Sequence, residues 1–369
     1  MGRFGKKNKV KVNPLKYRNM LLGEPKIGKT TLMKQVAEKL AGEDGYIFAE
    51  FGREKGADAI EGIVYEDIPT WEAWLDVVDD IVKNKTSDYP ELKLIIVDTY
   101  DQYIDIACKE TLDMWNRENT DKQAKSLNGV FGGFGKGELK AVELMLEQMD
   151  RLESVGVTLW FIGHVKNKSV TDIASGESYQ ILTSDQQQNF FNALKKNLHF
   201  LGLAYIDRNI VKEKTGKKDI KGNALYKEVV KDETRKIKFR DNSYAIDCGS
   251  RFEAQVDECN LDADEYISVL EGAIKAEIAK ANVSVDSRKA EEKKAEEEEV
   301  KAVAEAEEEN KLNEQIQEQI AIIVDFVSEN KSDMATIKPI INKLKELGYA
   351  NPKVIDNLED AIAVAELCK

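Results

Sequence analysis

The sequence has no long apolar run, few histidines and no closely spaced cysteines. No stretch of about 18 consecutive apolar residues occurs, so we expect no membrane-spanning helix and no membrane partner. Only two of the 369 residues are histidine, and the four cysteines stand far apart without a C-x-x-C pair. We therefore expect neither a zinc site nor a disulfide framework, which favours a reducing cytoplasm.

An excess of positive charge is also missing, since the formal net charge is −14. A value this negative argues against nucleic-acid binding only if the charge is evenly spread, because local fields decide what a surface attracts. It is not evenly spread: residues 3–18 carry only basic charges, whereas residues 290–310 are rich in Glu. The basic N-terminal arm either contacts phosphates or a neighbouring subunit, or is a disordered solubilising tail.

Composition and hydrophobic spacing divide the chain into four parts. We predict a basic arm at 1–16, a core at 17–282, an acidic Glu/Lys/Ala-rich linker at 283–311 and a small helical domain at 312–369. Within the core, apolar strand-like runs alternate with helical patterns, which predicts an α/β fold with a mostly parallel sheet flanked by helices. Strands are predicted at 17–23, 46–52, 92–100, 157–164, 199–208, 225–232 and 235–244, the last two as a candidate hairpin, and helices at 30–42, 70–84 and 137–156.

The stretch GEPKIGKT (23–30) matches the phosphate-loop pattern G-x-x-x-x-G-K-[ST] between a predicted strand and a predicted helix. Such a loop turns backbone N–H groups toward phosphates and places the positive end of a helix beside them. Lys29 would then contact the β- and γ-phosphates, and Thr30 would ligate Mg²⁺. The alternative is a glycine-rich turn into a surface helix. The predicted nucleotide-binding residues are Gly23, Glu24, Pro25, Lys26, Ile27, Gly28, Lys29, Thr30 and Thr31.

A second acidic motif follows the apolar run LIIV, where Asp98 ends a predicted strand. An aspartate at this place can hold Mg²⁺ together with Thr30, or it can simply cap the next helix. No N-K-x-D-like guanine signature occurs, which favours ATP over GTP.

Two further groups are candidates for catalysis. Glu54, just past the second strand, is predicted to orient the attacking water, and Glu50 is the competing candidate. His164 ends a strand and is predicted to sense the γ-phosphate, although a histidine at a strand end can also be only structural.

Two stretches combine lysines with aromatic residues, at 118–138 and at 164–180. Loops of this composition suit backbone contact and base stacking on single-stranded DNA, whereas mobile surface loops or a substrate lid are the alternatives. The predicted DNA-binding residues are Lys125, Phe131, Phe134, Lys136, Lys166 and Lys168.

Taken together, GEPKIGKTT, EFGREKG, LIIVDTYD, FGGFGKG, FIGHVK and IDCGSRF resemble motifs of the phage-encoded RecA-like P-loop ATPases, the group of single-strand annealing and recombination ATPases. The resemblance covers about residues 15–280. It implies a RecA-like core, ATP and Mg²⁺ as cofactors, self-association, and a host bacterial cytoplasm. It also places Arg251 where related motors carry a residue that reaches a neighbour's γ-phosphate. The usual lysine two positions earlier is replaced by Gly249, so Arg251 is either that residue or a surface charge.

The hypothesis that follows is an oligomeric ATPase that acts on single-stranded DNA in recombination or annealing. A replicative helicase or helicase loader on the same core is the alternative within the motor class. An ATP-gated scaffold is the non-enzymatic alternative. In each case the C-terminal domain is a candidate site for a replication or recombination partner.

Overall fold

A computed structural model describes residues 8–53, 55–171, 176–218, 224–241, 247–331 and 333–368. The described strands are β1 (Asn19–Gly23), β2 (Tyr46–Phe51), β3 (Tyr65–Ile68), β4 (Leu94–Asp98), β5 (Thr158–Thr171), β6 (Ser178–Ser184), β7 (Phe200–Lys218), β8 (Ala224–Lys238), β9 (Gly249–Ser250) and β10 (Glu258–Asn260). The described helices are α1 (Lys29–Ala41), α2 (Trp71–Lys83), α3 (Tyr100–Glu118), α4 (Lys136–Ser154), α5 (Gln188–Lys195), α6 (Ala263–Lys280), α7 (Val285–Glu329), α8 (Met334–Glu346) and α9 (Leu358–Ala365).

The strands form one sheet in the order β10-β8-β7-β1-β5-β4-β2-β3, with β6 added to β5 and β9 added to β7. The six strands from β7 to β3 run parallel, and β6, β8, β9 and β10 are antiparallel to their neighbours. This confirms the predicted α/β class with a mostly parallel sheet. Since β1 lies between β5 and β7, the loop that follows β1 has strand ends on both sides at the carboxyl edge of the sheet.

Helices cover both faces of the sheet. Along β1 and β4 the buried side chains alternate between two apolar clusters, as the period of two of a strand requires. One cluster contains buried residues of α2, α3, α4 and α5, and the other contains those of α1 and α6. A sheet buried on both faces explains why β1 and β4 are apolar almost throughout.

The predicted hairpin near the end of the core was wrong in its pairing. Residues 225–232 and 235–238 of the two segments predicted as strands belong to one strand, β8, which pairs with β7. The physical reason is the position of the turn residues: glycines and an asparagine lie at 216–223, whereas no glycine or proline interrupts the chain at 233–234. The result is one long hairpin, β7–β8.

A second difference concerns the stretch at 164–180, which we predicted as a loop. The strand β5 continues through His164 to Thr171 and pairs with β6 over seven positions. β-branched residues such as Val165, Val170 and Thr171 favour this extended backbone. The lysines of this stretch therefore lie on a hairpin, here called the β5–β6 hairpin.

The helix α3 was not predicted, although its buried residues Tyr100, Tyr103, Ile104, Ala107 and Thr111 follow helical spacing. α5 and α6 were also not predicted. The signal at α6 was available, because Asp262 caps its first turn by accepting hydrogen bonds from the backbone N–H groups of Asp264 and Glu265.

The chain forms two compact units, residues 1–82 with 89–296, and residues 83–88 with 297–369. In the second unit, buried residues of α7, α8 and α9 form a separate apolar core that includes Ile323, Ile340 and Val364. Residues 83–88 join this unit in part because the backbone N–H of Thr86 donates a 2.8 Å hydrogen bond to Glu307 Oε1. α7 continues without a break across the predicted end of the linker at residue 311, as a helical linker would.

Among the described residues, no helix combines the length and the apolar composition that crossing a membrane demands.

Candidate functional site

The predicted phosphate loop connects β1 directly to α1, as its pattern requires. Gly28 has φ 110°, a left-handed conformation that glycine adopts without strain. Gly23 approaches β7 so closely that a side-chain carbon there would lie 3.0 Å from Ala204 Cβ and 3.1 Å from Ala204 O. The two glycines of the motif are thus needed for backbone geometry. The loop leaves the carboxyl edge of the sheet and leads into the N-terminus of α1, where N–H groups favour an anion.

Lys29 folds back over this loop. Its ammonium group donates hydrogen bonds to Gly23 O at 2.9 Å and to Glu24 O at 3.0 Å, and its side chain is buried. A buried ammonium group held at a helix N-terminus supplies a point charge for phosphate oxygens.

Three oxygen-bearing side chains converge beside Lys29. Thr30 Oγ1 donates a 2.9 Å hydrogen bond to Asp98 Oδ2, and Glu50 is the register partner of Asp98 in the adjacent strand. A side-chain carbon at Gly56 would lie 3.4 Å from Asp98 Oδ2, 3.5 Å from Thr30 Oγ1 and 3.8 Å from Glu50 Oε1. The hydroxyl and the carboxylates are hard oxygen donors, the class of ligand that Mg²⁺ prefers. The residues present therefore fit a magnesium site.

Glu50 is the most unusual group of this cluster. Its side chain is 1% exposed, Oε1 accepts a hydrogen bond from the Ala57 N–H, and Oε2 has no hydrogen-bond partner among the described residues. Burial raises the pKa of Glu50, and the hydrogen bond from Ala57 only partly opposes this effect. A buried carboxylate with a raised pKa and an unused oxygen is suited to accept a proton.

On the same side of β1 as this cluster, His164 is the register partner of Gly23 in β5, the strand between β1 and β4. His164 Nδ1 lies 3.1 Å from Asp101 Oδ2, and Gln186 Nε2 donates a 2.8 Å hydrogen bond to Asp101 Oδ1. Burial alone raises the pKa of Asp101, but the hydrogen bonds from His164 and Gln186 outweigh it, so this pKa lies below its ordinary value. Asp101 remains charged and orients the imidazole.

Comparison with known proteins agrees with this geometry. The profile of the AAA domain family matches residues 15–245, which is more than half of the chain. The chain belongs to the AAA domain family. The match shows a P-loop ATPase domain, while the closer resemblance to phage RecA-like ATPases stays a prediction. No curated protein matches the chain.

Of the remaining predicted catalytic residues, Arg251 is described by the structure and does not join the cluster. Glu54 lies outside the described residues. Arg251 follows β9, which pairs with the first residues of β7, at the edge of the sheet opposite the phosphate loop. Its guanidinium donates hydrogen bonds to Leu198 O and Lys196 O. In its own subunit Arg251 is thus far from Lys29 along the strands, and its predicted role toward a neighbouring subunit stays a prediction.

The predicted DNA-binding residues lie on two separate surfaces. Residues 131–135 all have positive φ, and this turn leaves Phe134 fully exposed at 102% while Phe131 contacts Trp115 edge-on. Lys125 and Lys136 are exposed on either side of this turn.

The other surface is the β5–β6 hairpin, which extends past His164 beyond the edge where the phosphate loop begins. Lys168 and Tyr179 are exposed there, whereas Lys166 forms a 3.2 Å ion pair with Asp185.

Sequence reasoning missed several residues that the fold brings to the site. Asp101 stands three positions after Asp98, so the spacing D-x-x-D was a visible signal for it. Gln186, in the loop after β6, and Arg235, on β8, gave no such signal because both are distant from the phosphate loop in the sequence. Arg235 Nη1 donates a 3.0 Å hydrogen bond to Ile27 O within the phosphate loop.

Proposed function

We propose that this AAA domain binds and hydrolyses ATP at the phosphate loop. The observation that carries the proposal is the convergence of Thr30, Asp98 and Glu50 beside the buried Lys29. A phosphate-binding turn alone would need only the glycines and the lysine. A metal-ligating pair and a buried base next to it are the additional parts of a hydrolase.

In the proposed reaction, the backbone N–H groups at the start of α1 hold the phosphates and Lys29 neutralises charge on the β- and γ-phosphate oxygens. Thr30 and Asp98 would hold Mg²⁺, which supplies positive charge that stabilises the transferring phosphoryl group. Because these groups are fixed before the reaction, they stabilise developing charge without reorganisation.

Glu50 is the proposed general base. A water molecule attacks the γ-phosphorus, the bond from that phosphorus to the bridging β–γ oxygen breaks, and ADP leaves with that oxygen. The proton of the water passes to the Glu50 carboxylate, whose raised pKa strengthens it as a proton acceptor. Glu54 remains the competing candidate. His164, oriented by Asp101, is proposed to contact the γ-phosphate and report its loss.

Replacing Asp98 with asparagine tests the metal site. The substitution keeps the size of the side chain but removes the charge that faces Thr30. We expect the Mg²⁺ concentration for half-maximal phosphate release to rise at least about tenfold, since one charged oxygen ligand is lost. Phosphate release should be measured across a Mg²⁺ titration, with Asp121→Asn as an exposed control. An unchanged Mg²⁺ dependence would remove Asp98 from the metal site.

We further propose that the substrate polymer is single-stranded DNA, bound by self-associated copies of the chain in recombination or annealing. Support comes from the exposed aromatic Phe134 between Lys125 and Lys136, and from Lys168 and Tyr179 on the β5–β6 hairpin. Exposed aromatic rings stack on bases of any sequence, and lysines contact the backbone. The C-terminal unit is proposed to recruit a replication or recombination partner.

Replacing Phe134 with alanine tests this DNA contact. Loss of one stacking ring should weaken binding of a single-stranded oligonucleotide by about 1–3 kcal/mol. Fluorescence anisotropy at low salt measures the change, and Tyr65→Ala is a matched control because Tyr65 is an exposed aromatic on the edge strand β3.

Measurements of DNA binding and ATP turnover with the wild-type protein test the broader proposal that the chain acts on DNA. Binding that falls steeply with salt and ATP turnover stimulated by single-stranded DNA are expected, because phosphate contacts release counterions. Absence of both results would reject DNA as the substrate. Displacement of an annealed strand during ATP turnover would instead identify a helicase.

A further inference from the structure

Arg235 and Leu261 lie directly against the phosphate loop. Arg235 Nη1 donates to Ile27 O at 3.0 Å. A side-chain carbon at Gly28 would lie 3.6 Å from Arg235 Nη1 and 3.4 Å from Leu261 Cδ2. The space over Gly28 is therefore bordered by a guanidinium group on β8 and by an apolar side chain that follows β10.

The sheet order places these residues on a defined side of the loop. Thr30 contacts Asp98 of β4, and β4 is separated from β1 only by β5. Arg235 comes from β8, which is separated from β1 by β7 on the other side. The metal-ligating and γ-phosphate end of the nucleotide belongs on the β4 side. The opposite end of the nucleotide therefore extends toward β8.

We propose that Arg235 and Leu261 form the nucleoside end of the nucleotide site, with the planar guanidinium and the leucine side chain packing against the base and ribose. This inference rests on the proposed function, because it requires a nucleoside triphosphate at the phosphate loop. A guanidinium plane stacks favourably on an aromatic face, and an apolar side chain buries the base from water.

The two residues are held together by backbone contacts. The backbone N–H of Leu261 donates a 2.9 Å hydrogen bond to Arg235 O. The next residue, Asp262, caps α6 by accepting from the N–H groups of Asp264 and Glu265. A rigid position on strand and helix ends lowers the entropy lost when a ligand packs there.

The experiment compares two ligands at the same loop, ATP and inorganic tripolyphosphate, by isothermal titration calorimetry on the full chain with Mg²⁺. Arg235→Ala and Leu261→Ala should each weaken ATP binding roughly 3- to 30-fold and change tripolyphosphate binding less than about twofold. Arg235→Lys should recover only part of the ATP affinity, since lysine lacks the planar group. Arg208→Ala is the matched control, because Arg208 lies on the same hairpin and pairs with Glu233.

Each other outcome has a distinct meaning. If Arg235→Ala weakens ATP and tripolyphosphate equally, Arg235 only orders the phosphate loop and the inference is overturned. Wild-type affinities in both variants overturn it as well. A wild-type protein that binds neither ligand rejects the proposed function itself. Thermal unfolding of each variant shows whether it remains folded. If Leu261→Ala does not fold, the comparison of Arg235→Lys with the wild-type protein still tests the proposal.

Discussion

Replacing Lys29 with alanine is expected to reduce ATP turnover at least about 100-fold. The ammonium group is buried and lies 2.9 Å from Gly23 O and 3.0 Å from Glu24 O, so it is already placed where phosphate oxygens must bind. Alanine removes this charge together with these two hydrogen bonds, while both glycines of the turn are kept. Steady-state phosphate release at saturating ATP and Mg²⁺ measures the loss.

The matched control for this substitution is Lys39→Ala. Lys39 lies on the same helix, α1, but its ammonium group pairs with Asp264 near the far end of that helix. We expect turnover within about twofold of wild type for this control, since exposed ion pairs contribute little. Full activity in Lys29→Ala would show that the phosphate loop is not the hydrolytic site.

Replacing Glu50 with glutamine should separate ATP binding from hydrolysis. The amide has the size of the carboxylate but accepts no proton, so turnover should fall by about 10²- to 10⁴-fold while ATP affinity changes little. Binding is measured with a fluorescent ATP analogue and hydrolysis by phosphate release. Glu66→Gln, on the neighbouring strand β3, is an exposed control.

The pH dependence gives an independent check of Glu50. Burial raises the pKa of this carboxyl group, so its basic form is lost at a higher pH than for an ordinary glutamate as the solution is acidified. Wild-type turnover should therefore decline on the acid side with an apparent pKa above the usual glutamate value. If Glu50→Gln retains wild-type turnover while Glu54→Gln loses it, the base is Glu54.

Local sequence patterns were sufficient for much of the fold. The apolar runs of β1, β2 and β4 and the amphipathic spacing of α1, α2 and α4 predicted these elements within a few residues. These predictions succeeded because an element that is buried on one or both faces carries apolar residues in a regular pattern along the sequence. The β7–β8 pairing was mispredicted because pairing depends on where one strand ends and the next begins, and here β7 ends at Lys218 and β8 begins at Ala224.

The candidate site likewise has one part that local sequence patterns predicted and another part that they did not. The phosphate loop, with Lys29 and Thr30, is a contiguous motif whose chemistry follows from residue types and spacing alone. Asp98 was identified in the same way, because it stands at the end of an apolar strand. These features are local, and the sequence by itself determined them.

Only the tertiary structure decided which distant groups meet. Thr30 and Asp98 are 68 positions apart, and Arg235 is 208 positions from the Ile27 carbonyl that it contacts. Their proximity results from strand order, since β5 and β7 pair with β1 from opposite sides. Strand register places Glu50 beside Asp98, which no local pattern shows, while the role of Glu54 stays a prediction. Strand order and register depend on packing across the whole sheet, and no short stretch of sequence carries that information.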